Sequence, residues 1–151
     1  MEIERKFLVG RAPDLTAAKS VEIEQGYLVA EPGGGEVRLR RTGQQLLLTA
    51  KGGAGLIRDE VEIELDRRQF DALWPLTQGK RLRKIRHTLR NGEQEIELDR
   101  YEGELEGLSV AEAEFASEQQ ADAFDPPSWL GREITGDERY ANRALAERGA
   151  P

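Results

Sequence analysis

Apolar and polar residues alternate along most of this chain. In the opening segment Glu2, Glu4 and Lys6 fall on one side of an extended backbone and Ile3 and Phe7 on the other, the period-two signature of a β-strand. The same alternation predicts strands over 2–9, 21–29, 36–42, 46–51, 57–66, 82–90, 94–101 and 109–116. Gly33-Gly34-Gly35, Gly52-Gly53-Ala54-Gly55 and Asn91-Gly92 each separate two such segments, as hairpin connections do. Helical signals are fewer: 67–74, ended by Pro75; 118–124, opened by a Ser117 and Gln120 capping-box pair; and 138–148, opened by Asp137 and closed by Gly149. The expected architecture is strand-dominated α+β with mostly antiparallel strands.

The polar positions are unusual because they are charged in matched sets. Arg38 with Arg40, Glu60 with Glu62 and Glu64, Lys84 with Arg86, Glu95 with Glu97 and Asp99, and Glu112 with Glu114 each share one face of their strand. For a single strand the ordinary account is the solvated outer face of an antiparallel sheet. Taken together, the sets are segregated by strand into acidic and basic groups, whereas solubilising surface charge is mixed.

Composition sharpens this picture. Charged residues make up 34% of the 151 residues, against roughly 25% in typical domains. Twenty-two Lys and Arg against 29 Asp and Glu leave a net charge of −7, which argues against a nucleic-acid grip. The absence of cysteine excludes disulfides, thiolate nucleophiles, zinc ribbons and iron–sulfur clusters. The single histidine, His87, excludes a multi-histidine metal site, so a metal would need oxygen ligands. Apolar runs are only a few residues long and the chain opens Met1-Glu2-Ile3-Glu4, from which no membrane association and a cytoplasmic location are expected. With no repeat and no long linker, residues 1–151 read as one domain.

If the strands close into a barrel, inward charges are too costly without water, metal ions or a polyanion to compensate them. Acidic sets would hold divalent cations, and Mg²⁺ typically takes one or two carboxylates plus phosphates and waters. Lys6, Arg38, Arg40, Lys51, Lys84 and Arg86 would take phosphate oxygens, since Arg offers a planar fork and Lys a compact charge. Such a mixture along a groove suits a linear polyphosphate.

At this point the residues resemble a known family. Glu2-Ile3-Glu4-Arg5-Lys6-Phe7 is similar to the N-terminal E-x-E-x-K signature of the CYTH proteins, the triphosphate tunnel metalloenzymes. The likeness continues through Gln25-Gly26-Tyr27-Leu28, Arg38-Leu39-Arg40, Thr49 to Gly52, Glu60 with Glu62, Lys84 with Arg86, Glu97 with Asp99, Glu112 with Glu114, and Asp137 to Leu145. The resemblance implies an eight-stranded antiparallel β-barrel, a tunnel with a few helices outside, whose charged lumen binds a triphosphate and Mg²⁺ or Mn²⁺. By the same resemblance Glu2, Glu4 and Glu114 are the principal metal carboxylates. Glu60, Glu62, Asp99 and Glu112 are further ligands or water-positioning groups, and Lys6, Arg38, Arg40, Lys51, Lys84 and Arg86 form the triphosphate cradle. Glu60, Glu62 and Lys84 are the candidates nearest the chemistry, and Asp99 and Glu112 join the metal set. Arg58, on the face of Glu60 and Glu62, and Arg139, in a segment similar to the family's closing helix, are each open to two readings: phosphate ligand or surface ion pair.

The implied activity is hydrolysis of a terminal phosphoanhydride by a carboxylate-positioned water, on a small-molecule substrate, in a monomer or homodimer. The family's motifs do not choose among tripolyphosphatase, thiamine triphosphatase, class IV adenylate cyclase and RNA triphosphatase. Only four Phe, three Tyr and two Trp are present, which favours inorganic tripolyphosphate over a substrate with a ring. The alternatives are a cyclase, a thiamine or nucleoside triphosphatase, or a polyphosphate-binding module without turnover. Phe70 and Trp74, one helical turn apart, read as core packing, and His87, opposite Lys84 and Arg86, as structural or surface. Gly79-Lys80 lacks the spacing of a P-loop.

Overall fold

The computed structural model describes residues 3–31, 35–52 and 59–151. Glu2, Arg58 and the glycine-rich stretches 32–34 and 53–55 lie outside them. Eight strands form one antiparallel sheet: β1 (Ile3–Leu8), β2 (Lys19–Ala30), β3 (Glu36–Thr42), β4 (Gln45–Gly52), β5 (Asp59–Glu64), β6 (Arg81–Asn91), β7 (Gln94–Glu102) and β8 (Ser109–Phe115). Three helices accompany them: α1 (Arg67–Leu73), α2 (Glu118–Ala123) and α3 (Asn142–Arg148).

The sheet order is β1-β8-β7-β6-β2-β3-β4-β5, and it curls until residues of both edge strands line one cavity. The ring is not sealed: among the described residues no ladder joins β5 to β1. The reason lies on β1. Its outer edge is already paired with the returning chain, with Leu8 N donating to Arg132 O at 2.9 Å, Gly131 N to Leu8 O at 2.7 Å and Ile134 N to Lys6 O at 2.8 Å. Gly131 permits this approach, since a Cβ there would sit 2.8 Å from Leu8 O.

Strand alternation sorts the two faces. Outward residues of β1, β7 and β8, including Phe7, Ile96, Leu98, Ala111 and Phe115, pack under α2 and the segment after it. Leu39 and Leu46 pack under Phe70 of α1, where Phe70 and Trp74 stack at 5.3 Å. The inward face is graded along each strand: Glu4 and Lys6 give way to Leu8, Glu114 and Glu112 to Val110, and Arg86 and Lys84 to Leu82. At the apolar end Leu82, Tyr101, Leu105 and Val110 pack with Tyr140 and with Leu145 of α3. Thus α1 and α2 lie outside the sheet while α3 closes one end of its interior.

Local chemistry sets the helix boundaries. Asp66 Oδ1 accepts from Gln69 N and Gln69 Oε1 from Asp66 N, a full capping box ahead of α1. At α2 Ser117 Oγ accepts from Gln120 N, but Gln120 Oε1 takes the N–H of Ala116 rather than that of Ser117. The helix expected over 138–148 is two pieces, a 3₁₀ turn Glu138–Tyr140 and α3, because Ala141 is extended with ψ 140. That break leaves Tyr140 O to accept from Lys6 Nζ at 2.9 Å. On β2, Thr77 packs against Gly26 so closely that a Cβ there would lie 2.6 Å from Thr77 Cβ.

Candidate active site

All eight strands contribute to one charged cavity of about 560 Å³. Its carboxylates are Glu4, Glu31, Glu36, Glu60, Glu62, Glu97, Glu112, Glu114 and Glu138, and its cations Lys6, Arg38, Arg40, Lys51, Arg86 and Arg143. Among the described residues Tyr27 is the only aromatic ring of the lining, and its hydroxyl accepts from Gln25 Nε2 at 2.9 Å.

Sheet register gathers the acids on one side. Glu4 stands opposite Glu114, Lys6 opposite Glu112, and Glu112 also opposite Glu97. Burial pushes the Glu4 carboxyl up to about 7, with the Glu112 charge and a hydrogen bond to Glu112 adding to the rise and Lys6 opposing it. Lys6 Nζ lies 3.6 Å from Glu112 Oε1. Among the described residues no three carboxylates are yet drawn together tightly enough to enclose a metal. The donor set nonetheless fits a hard divalent cation: oxygen-only ligands, with the Glu4 carboxyl raised by burial and by the neighbouring Glu112 carboxylate.

The basic side shows a deficit of acceptors. The Nε–H groups of Arg38 and Arg40 are buried and donate to no acceptor among the described residues, an arrangement costing about 1–3 kcal/mol per group if left unmade. Burial, followed by the neighbouring Arg38 and Arg86, brings the Arg40 guanidinium down to about 10. Arg38 has Glu36 at 3.6 Å. Two unsatisfied guanidinium donors with a third like charge nearby describe the receptor for a polyanion.

Arg86 differs in being committed. Its Nε and Nη2 donate to Asp99 Oδ1 and Oδ2 at 2.8 and 3.0 Å, and its Nη1 lies 2.7 Å from Glu97 Oε2. Asp99 also binds Lys84 Nζ at 2.8 Å. Burial alone would raise the Asp99 carboxyl, but Lys84 and Arg86 outweigh it and hold it well below the usual carboxylate range. Lys84 is 0% exposed, and burial pushes its ammonium down to about 8 against the pull of Asp99. Asn142 Oδ1 accepts from Tyr101 Oη at 2.5 Å and from Lys84 Nζ at 3.5 Å.

Against the sequence expectations, the structure brings Glu4, Glu60, Glu62, Glu112, Glu114, Lys6, Arg38, Arg40, Lys51 and Arg86 to the cavity. Asp99 and Lys84 lie beneath it. Both oxygens of Asp99, expected among the metal ligands, are here held by Arg86 and Lys84, which makes it their internal counter-ion. Lys84 is likewise a buried partner of Asp99 rather than a group on the cavity wall. Of the two readings of Arg139 the structure has the surface ion pair, not the phosphate ligand of the candidate set: it is exposed and forks onto Asp137, Nε to Oδ1 at 3.0 Å and Nη2 to Oδ2 at 2.7 Å. In its place Arg143 enters the cavity, together with Asn142. Glu31, Glu36, Glu97 and Glu138 were missed as well, although Glu36 continues the alternation of Arg38 and Arg40 and Glu97 that of Asp99. Glu2 and Arg58 fall outside the described residues.

His87 takes no part in this cavity. It is buried on the opposite face, where Arg100 Nε donates to its Nε2 at 2.9 Å and Ser20 Oγ lies 2.6 Å from its Nδ1. Because Arg100 can only donate, the ring proton sits on Nδ1 and points to Ser20.

The sequence matches the CYTH domain across residues 1–147. The chain belongs to the CYTH family. This CYTH chain is 47% identical over 147 residues to the inorganic triphosphatase of Nitrosomonas europaea, spanning 96% of each protein. It is 34% identical over 148 residues to that of Acetivibrio thermocellus, spanning 97% of this chain and 93% of the relative. A crystal structure of an inorganic triphosphatase superposes with a TM-score of 0.81 at 42% identity, covering 100% of this chain and 97% of the other. A putative adenylyl cyclase from Hippeastrum shares the fold at a TM-score of 0.58 and 17% identity, over 82% and 83% of the two chains.

Proposed function

We propose that this CYTH protein hydrolyses inorganic tripolyphosphate to pyrophosphate and phosphate, with Mg²⁺ or Mn²⁺ as cofactor. The observation that carries the reading is one cavity holding two opposite sets: guanidinium donors of Arg38 and Arg40 without acceptors, and the carboxylates of Glu4, Glu112 and Glu114 brought to the same cavity by the register of β1 and β8. A polyanion with its divalent cation engages both. The kinship with two inorganic triphosphatases supports the same choice. The near-absence of aromatic surface on the lining favours a substrate with no ring to stack.

Glu4, Glu112 and Glu114 would hold the cation, whose contribution is to neutralise charge developing on the phosphate oxygens. Arg38 and Arg40 bind and orient the phosphates, Lys6 and Lys51 add charge to the lining, and Arg86 is held rigid by Asp99 and Glu97. Glu60 and Glu62 face the cavity from β5 and would accept hydrogen bonds from an attacking water. Phosphoryl transfer of this kind is mainly positioning and electrostatic stabilisation. The cytoplasmic setting expected from the sequence is part of the proposal. Among the described residues no helix is long and apolar enough to cross a membrane.

The test is phosphate release from tripolyphosphate, ATP and thiamine triphosphate with Mg²⁺, with Mn²⁺ and in EDTA, with cyclic AMP measured on the ATP reaction. Metal-dependent turnover strongest on tripolyphosphate is expected. Cyclic AMP formation, or turnover undiminished by EDTA, would overturn the proposal.

A further inference from the structure

We infer that Arg143, carried by α3 rather than by the sheet, selects inorganic tripolyphosphate over nucleoside triphosphates by binding the second fully charged end of the polyanion. The inference rests on the proposed function and assigns its substrate preference to one residue.

Arg143 lines the cavity with its side chain 14% exposed. Among the described residues its guanidinium donates no hydrogen bond, and its one carboxylate neighbour within 4.0 Å is Glu138 at 3.8 Å, itself 83% exposed. Of the other cavity cations, Arg86 has three nitrogens on Asp99 and Glu97. The donors still available form two groups. One is Arg38 and Arg40 on β3, whose Nε–H groups lack acceptors, with Lys51 on the neighbouring β4. The other is Arg143 on α3, three residues after Tyr140, whose carbonyl oxygen accepts from Lys6 Nζ.

Cation groups carried by different elements, β3 and α3, of one cavity suit a ligand charged at both ends. A terminal phosphate carries about two negative charges near neutral pH. Inorganic tripolyphosphate has two such ends, whereas a nucleoside triphosphate has one, its other end being an ester with less charge. A guanidinium at the second end therefore gains more from tripolyphosphate, because charge-assisted bonds in a site shielded from water strengthen with ligand charge.

The experiment compares the unaltered protein with Arg143→Gln, Arg143→Lys, Glu138→Gln and Arg139→Gln. It measures KM and kcat on tripolyphosphate and on ATP, and tripolyphosphate binding by calorimetry in EDTA. For Arg143→Gln the KM and Kd for tripolyphosphate should rise roughly tenfold, as for a lost charge-assisted contact, with the ATP KM moving by less than about threefold. Arg143→Lys should recover part of the loss. Glu138→Gln, altering an exposed competitor for Arg143, should tighten tripolyphosphate binding and keeps the test open if Arg143→Gln folds poorly. Arg139→Gln, on the preceding 3₁₀ turn and outside the cavity, should behave as the unaltered protein. Equal effects of Arg143→Gln on both substrates, no effect on either, or weaker binding in Glu138→Gln would overturn the inference while leaving the triphosphatase proposal standing. An unaltered protein that neither binds nor hydrolyses tripolyphosphate would overturn both.

Discussion

Replacing Asp99 by Asn should destabilise the protein severely although no cavity is created. Asp99 accepts three charge-assisted bonds, from Arg86 at 2.8 and 3.0 Å and from Lys84 at 2.8 Å. The amide retains one acceptor oxygen, carries no charge and turns donor hydrogens toward cations. Lys84, 0% exposed, is then a buried ammonium without a carboxylate partner, left with a neutral amide at position 99 and with Asn142 Oδ1 at 3.5 Å. Breaking a buried pair from one side costs about 3–5 kcal/mol. With a urea slope of about 2 kcal/mol/M for a domain of this size, the midpoint should fall by on the order of 2 M at pH 7. The pH dependence has a definite sign. Because the Asp99 carboxyl is depressed below its ordinary 3.8, its contribution is complete above that value and is lost as pH falls through the folded-state value. The gap between the two proteins should therefore persist at neutral pH and close in acid. Urea unfolding followed by circular dichroism measures both. A midpoint moved by less than about 0.5 M at pH 7, or a gap that widens in acid, refutes the counter-ion role of Asp99.

Three further outcomes are expected. Glu4→Gln should lower turnover of tripolyphosphate by about two to three orders of magnitude, as for comparable electrostatic groups. Because the Glu4 carboxyl is raised to about 7, protons compete with the cation below that pH. Mn²⁺ affinity followed by electron paramagnetic resonance should then climb as pH rises toward 7 and level off above it, and a flat profile between pH 6 and 8 counts against a cation at Glu4. Arg40→Ala should weaken triphosphate binding by about 1–3 kcal/mol, and a KM and rate like those of the unaltered protein would remove Arg40 from the receptor. Gly26→Ala places a Cβ 2.6 Å from Thr77 Cβ and should cost about 1–3 kcal/mol by overpacking, seen as a drop of several degrees in Tm by calorimetry, with an unchanged Tm contradicting the close approach.

The strands were legible because their cause is local. β3 spans Glu36–Thr42 as the alternation predicts, and the other strand ends move by at most a few residues. The charged faces were legible for the same reason: residues two apart on a strand must share a side, so Glu4 with Lys6 and Arg38 with Arg40 were committed to common faces before any packing was known. What resisted reading were boundaries set by contacts distant in sequence. The break at Ala141 serves Lys6, more than 130 residues away, and it rotates the helix so that Arg143 rather than Arg139 enters the cavity. A 3.6-residue pattern through 138–148 carries no sign of that turn.

Sequence by itself determined that this chain is an antiparallel sheet with one charged face, that any metal site must use oxygen ligands, and that its kin are the CYTH proteins. These follow from side-chain alternation, from composition and from motifs carried on single strands. Tertiary structure alone decided which charges meet. It buried Asp99 between Lys84 and Arg86, left the Nε–H groups of Arg38 and Arg40 without acceptors, and kept β1 from β5 by giving the edge of β1 to residues 131–134. The physical reason is that alternation specifies a face, whereas the energy of a charge depends on its burial and on its partners across strands. Those are properties of the folded neighbourhood rather than of any segment of sequence.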